Sequence, residues 1–274
     1  MAIGAIINLI LFGALLSLLY QFSKNEVMPL SRRVFIGLVG GTVFGFYLQF
    51  VFAGNDAVMA DTLEWTNVVA NSYVGLLRMI IMPLILITMI AAVLKVEEIK
   101  SLGKIGGTVV GLLIFTTVIA ALIGILMATV FSLDAGDLVG GARELARAEA
   151  LEARQGSVAD LSLAELLVSF IPTNIFSDLS GARSMSIIGV VVFGLIFGIA
   201  ALLVSEEDAA HGQRIRDFVD TTQAVIMRLV KIVMSLTPYG VLALMTRVIA
   251  TSDGSAILNL IGFVIASYIA IALM

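Results

Sequence analysis

The stretch LAELLVSFIPTNIF, Leu163–Phe176, is apolar, too short to cross a bilayer, and interrupted by Pro172. A helix needs roughly 17 apolar residues to cross ~30 Å of hydrocarbon. A shorter apolar piece broken by proline reads as one that enters the membrane and turns back inside protein, because irregular backbone at that depth must be satisfied by protein or by a water-filled cavity. Such broken elements belong to transporters and channels more than to plain anchoring bundles.

On either side of this piece the chain is built of long apolar runs. They are Ile3 to Tyr20, Val34 to Phe52, Val68 to Leu94, Ile105 to Phe131, Met185 to Val204, Val225 to Ala250, and Ile257 to Met274. Of the 274 residues 60% are hydrophobic and 13% charged, with mean hydropathy +1.09, against about 25% charged in soluble domains. The reading is an all-α, polytopic transmembrane bundle. The first run lacks a basic residue ahead of its apolar core and a small-residue cleavage site after it, so it is expected to be a retained helix rather than a cleaved signal. The last run stops at Met274 without a polar flank, from which the chain is expected to be the front part of a longer protein.

Basic residues orient the spans. Lys24, Arg32 and Arg33 follow the first, Lys95, Lys100 and Lys104 the third, and Arg214 and Arg216 the fifth, whereas Ala53 to Glu64 holds three acids and no base. This alternation predicts an outside N-terminus and seven crossings. Ser132 to Ser184 has four Arg against eight acids, which suits the outer side. Within it Gly140 to Gln155 (GGARELARAEALEARQ) predicts a short solvated helix with oppositely charged neighbours at helical spacing.

Functional classes narrow quickly. A net charge of -4 without a long basic block argues against nucleic acid, and zero Cys removes disulfides, thiol catalysis and sulfur-ligated metals. No phosphate-cradling glycine loop, metal-spaced His pair or facing Ser and His is visible, so no enzyme is expected. Glycines at 37, 41 and 45, and again at 194 and 198, form small-residue faces that let helix backbones approach. Arg78 lies within the third span, where a tilted helix lets it reach the interface. Arg228 and Lys231 belong at the inner interface, and His211 in SEEDAAHGQR reads as solvated. Pro238, flanked by Thr237 and Tyr239, breaks the sixth span. Thr116 and Thr117 stand together midway along the fourth; their hydroxyls are expected either to bond back one turn along the helix or to offer hard oxygen ligands to a small cation. A transporter, a channel and a structural membrane subunit remain, and the lack of a polar pore stripe counts against the channel.

Four blocks then carry a resemblance: LLRMIIMPLILITMI (Leu76–Ile90), GKIGGTVVGLLIFTT (Gly103–Thr117), SFIPTNIFSDLSG (Ser169–Gly181) and LTPYGVLALM (Leu236–Met245). In this order they resemble the second to fifth helices of the dicarboxylate/amino acid:cation symporter family, and their wording, the extra N-terminal helix and the long loop resemble its bacterial L-cystine transporters. The resemblance implies a homotrimer in the bacterial inner membrane, among lipids, in which a fixed scaffold carries a moving transport domain. It assigns residues 1–33 to an extra helix and cytoplasmic loop, 34–104 to scaffold, 105–131 to the transport domain, 132–162 to an extracytoplasmic loop, 163–251 to a broken scaffold helix and a further scaffold helix, and 252–274 to the start of a transport-domain helix.

The same resemblance implies ion-coupled uptake of L-cystine or a related amino acid, with glutamate, aspartate or another dicarboxylate as the alternative substrate, and no cofactor beyond the coupling ion. The family's re-entrant hairpins and last helices, which hold nearly all of the substrate site, would follow Met274. In sodium-coupled members a cation site uses a Tyr and two hydroxyl residues; the hydroxyls fall on Thr116 and Thr117, and the Tyr position falls on Leu113, which has no oxygen to offer. Sodium and proton therefore both stay open as coupling ion. Ile175 stands where many members have Pro.

Overall fold

The computed structural model describes residues 3–24, 28–96, 99–131, 162–183, 185–251 and 254–273. Among them every regular element is a helix: α1 (Ile3–Lys24), α2 (Leu30–Val51), α3 (Asp56–Leu94), α4 (Ile99–Val130), α5 (Leu163–Ser169), α6 (Ile175–Leu179), α7 (Ser186–Glu207), α8 (Ala209–Ser235), α9 (Thr237–Thr251) and α10 (Gly254–Leu273). The all-α class is thus observed. Five of these helices are long and apolar enough to cross a membrane, or six when α8 and α9, bent by 46° at their junction, count as one span. The seventh expected span falls on α10, whose side chains are described from Val264 onward. The predicted helix at Gly140 to Gln155, and all of its loop except Ser162, lie outside the described residues.

Two details depart from the sequence reading. The third span extends back to Asp56, making α3 39 residues long and taking in the acidic connection; Pro83 sits inside it without ending it. The sixth span breaks at Leu236 rather than at Pro238, which occupies the first turn of α9. A proline fits there because the first helical N–H groups have no intrahelical acceptor to lose.

The chain divides into two compact units, Met1–Leu84 with Gln223–Ser252 and Ile85–Thr222 with Asp253–Met274. In the first, α2 lies along α9 so closely that a Cβ added at Gly37 would fall 2.3 Å from the carbonyl oxygen of Pro238, and one at Gly41 would fall 2.3 Å from that of Leu242. Gly45 meets Ile249 and Thr246 in the same register. The Thr246 hydroxyl sits between the carbonyls of Leu242 (2.9 Å) and Gly41 (3.3 Å). Lipid is as apolar as leucine, so packing and such hydrogen bonds hold the pair together instead of hydrophobic burial. Beside this seam Phe12, Leu19, Phe44, Leu48, Leu63 and Leu242 form the buried core, with the Phe12 and Phe44 ring centroids 5.9 Å apart. Helix α1 docks on α3 through Gly4 against Val58 and through Asn8, fully buried, whose amide donates to Thr62 at 3.2 Å.

In the second unit α7 packs on the end of α3, Gly194 against Met89 and Gly198 against Val93, and α4 packs with α10. Residue numbers rise together along α1 and α3, along α2 and α9, and along α3 and α7. Each pair is therefore parallel. These three pairs join odd spans with odd or even with even, and a chain that alternates its crossing direction makes such pairs parallel.

Candidate functional site

The broken element after the long loop is assembled by local hydrogen bonds. Ser162 caps α5 in a reciprocal box: its hydroxyl accepts from the Glu165 N–H at 3.3 Å while the Glu165 carboxylate accepts from the Ser162 N–H at 2.8 Å. Helix α5 stops at Ser169, Pro172 lies in the non-helical link, and the Asn174 side chain restarts the helix by accepting from Phe176 N–H (3.0 Å) and Ser177 N–H (3.4 Å). Helix α6 then gives way to Gly181 at φ +72°, a conformation L side chains rarely adopt.

That turn folds Arg183 back onto Asp178. Its Nε donates to Asp178 Oδ1 at 2.7 Å, one of its terminal nitrogens donates to the Ser169 carbonyl at 3.4 Å, and its backbone N–H donates to the Ser186 hydroxyl at 3.0 Å. Asp178 is completely buried while the Arg183 side chain keeps 30% of its exposure. Asp178 Oδ2 has no hydrogen-bond partner among the described residues and abuts Gly189, where an added Cβ would lie 2.8 Å away. Three helices thus meet at one ion pair, and removing one partner from such a pair costs about 3–5 kcal/mol through the uncompensated charge left behind. Sequence reasoning took Arg183 and Asp178 only as part of a charge balance. The signal was present as an acid and a base five apart around a glycine.

Thr116 and Thr117 lie on α4. Both hydroxyls donate to the same carbonyl, that of Leu113, at 3.1 and 2.6 Å. Each oxygen keeps its lone pairs, so the back-bond uses the proton and leaves the ligand capacity. Leu113 itself is 58% exposed. Among the described side chains of α4 only Met127 is buried, so the hydroxyl pair stands on an open helix face.

At the sixth-span break Thr237 meets Tyr73, a residue the sequence reading did not single out. The Tyr73 hydroxyl of α3 donates to Thr237 Oγ1 at 3.0 Å, and Thr237 donates to the Met234 carbonyl at 2.6 Å. Gly240 admits the Tyr73 ring, since a Cβ there would lie 2.1 Å from its Cδ1. Arg78, Arg228 and Lys231 are exposed, in keeping with outward-reaching cations. His211 is exposed as expected and contacts Asp208 at 2.6 Å. The Asp208 carboxyl, which lies between α7 and α8, is held below its usual range by the Ala210 N–H and then by the His211 ring. Among the described residues no three acidic or His side chains cluster as a metal site.

Residues 30–274 match the sodium:dicarboxylate symporter family. A Haemophilus influenzae protein named as an uncharacterized symporter is 46% identical over 270 residues, covering 98% of this chain and 60% of that relative. The L-cystine uptake protein TcyP of Bacillus licheniformis is 40% identical over 274 residues, 100% of this chain and 59% of the relative. The protein of the same name from Shouchella clausii is 42% identical over 261 residues, 95% and 56% respectively. The chain therefore spans less than two thirds of the length of these curated relatives.

Proposed function

We propose, from the premise that this chain belongs to the sodium:dicarboxylate symporter family, that the whole protein is a secondary active transporter importing L-cystine with a coupled ion across the bacterial inner membrane. The observation that carries this reading is the 40–42% identity, sustained over nearly the whole chain, to relatives named as L-cystine uptake proteins. The family's own description names dicarboxylates, which favours glutamate or aspartate symport as the second reading.

Within this proposal Thr116 and Thr117 contribute oxygen ligands for the coupling cation, sodium or a proton. A hydroxyl whose proton is already spent on the Leu113 carbonyl turns its lone pairs outward, which suits a hard cation. The protein assembles as a homotrimer, with α4 and α10 in the moving part and α2, α3 and the segment from α5 to α9 in the scaffold. Packing of α2 on α9 and of α4 on α10 supports grouping the helices of each pair.

The test is uptake of radiolabelled cystine by full-length protein in cells lacking their own cystine importers. Saturable uptake, competed by unlabelled cystine and abolished when the sodium or proton gradient is collapsed, is expected. Uptake of glutamate or aspartate with none of cystine would establish the second reading instead.

A further inference from the structure

Where α3 ends and α8 passes it, within the second unit, a recess of about 160 Å³ is lined by Ala91, Leu94, Lys95, Arg216, Val219 and Asp220. Its floor is apolar and buried, formed by Ala91, Leu94 and Val219, and its rim is exposed and charged, formed by Lys95, Arg216 and Asp220. Arg216 and Asp220 lie one helical turn apart, on the same face of α8. Yet among the described residues neither they nor Lys95 makes an ion pair. Two cations and one carboxylate thus surround a space that no side chain fills.

The position of the recess restricts what enters it. Lys95 is the first residue past the end of the long apolar helix α3, and Arg216 follows the fifth span closely. Lys95 and Arg216 are both among the residues whose charge bias assigns them to the inner membrane surface. Helix α7 runs parallel to the end of α3, and Gly212 of α8 packs on Ser205 near its end, so the charged rim sits where the apolar spans stop. A ligand here meets headgroup chemistry above and acyl chains below.

We propose that this recess binds the headgroup of a phospholipid carrying phosphoethanolamine. Its phosphate diester accepts from the Arg216 guanidinium and the Lys95 ammonium, charge-assisted contacts that suit phosphate geometry. Its primary ammonium donates to the Asp220 carboxylate. The glycerol backbone and first methylenes lie over Leu94, Ala91 and Val219. Asp220 decides between lipids: it repels a purely anionic headgroup such as phosphatidylglycerol and complements one that pairs phosphate with ammonium.

Native mass spectrometry of the purified chain, with phosphatidylethanolamine or phosphatidylglycerol added from mixed micelles, tests this. Wild type should retain phosphatidylethanolamine several-fold better. Asp220→Asn should abolish that preference by weakening phosphatidylethanolamine and strengthening phosphatidylglycerol, whereas Lys95→Gln with Arg216→Gln should lower retention of both lipids by about a hundredfold, roughly tenfold for each lost charge-assisted contact. All three positions are exposed, and unchanged thermal unfolding of Asp220→Asn separates ligand loss from fold loss. Equal retention of the two lipids by wild type, or a double variant that binds like wild type, overturns the proposal. Displacement of the lipid by soluble phosphoethanolamine or inorganic phosphate at millimolar concentration would overturn it as well, by making the recess a site for a free ion.

Discussion

Helices α2 and α4 are both apolar and both carry runs of glycine, and the structure uses them in opposite ways. In α2 the glycines at 37, 41 and 45 are buried, and added Cβ atoms there would collide with the backbone or side chains of α9. In α4 the glycines at 103, 106, 107, 111 and 124 meet nothing within 4 Å. A regular four-residue spacing on one face of α2 makes a groove into which a second helix fits. The glycines at 103, 107 and 111 of α4 keep the same four-residue spacing, yet no described residue lies against them, and there the residue type only lowers helix propensity. Glycine spacing says that close approach is permitted; only the partner helix says where that approach happens.

The strongest test of this contrast is Gly41→Ala. Its new methyl would meet the Leu242 carbonyl oxygen at 2.3 Å and the Leu242 Cα at 3.0 Å, and backbone cannot rotate aside as a flexible side chain does. Overpacking of this kind costs about 1–3 kcal/mol and occasionally more. The folded fraction after detergent extraction, read by size-exclusion chromatography, should fall sharply. A Gly41→Ala protein as stable as wild type would show that the α2 and α9 backbones do not approach as described.

A middle-sized effect is expected for Thr116→Val with Thr117→Val in the full-length protein. Val keeps the branched shape and the χ1 preference of Thr while removing the oxygen. Among the described residues the hydroxyls bond only to the Leu113 carbonyl of their own helix, so stability should change by less than about 1 kcal/mol. If they ligate the coupling cation, the ion concentration giving half-maximal uptake should rise by about tenfold or more, as for a lost contact to a charged group. Unchanged ion dependence with normal uptake would leave the pair with its intrahelical role alone.

The smallest effect belongs to Gly107→Ala. With open space around it and a helical backbone, Ala should stabilise α4 by up to about 1 kcal/mol from propensity. A small rise in the thermal midpoint is the expected reading. Marked destabilisation would mean that another element covers this face in the assembled protein, and would bring α4 closer in behaviour to α2.

The all-α class, the long spans and the broken piece near Pro172 were legible because bilayer length, hydropathy and proline chemistry act locally along the chain. The glycine faces of α2 and α7 were legible for a related reason: helical periodicity places residues four apart on one side before any partner is known. Their partners were not. That Gly41 meets Leu242, or that Gly198 meets Val93, depends on which helices share a unit. The pairing of Asp178 with Arg183 also escaped, because the two residues are brought together by a left-handed turn at Gly181 whose geometry a charge count does not contain.

The hydroxyl pair Thr116 and Thr117 and its displaced neighbour Leu113 were found from sequence alone, and their two possible roles were stated there. Sequence by itself determined where this chain is apolar and where it must break, since both follow from transfer energies and backbone chemistry acting over short windows. Only the tertiary structure decided which backbones touch, which buried acid finds its base, and that Lys95, Arg216 and Asp220 share one recess. Those contacts join residues far apart in the chain, and their energy depends on distances that no local window contains.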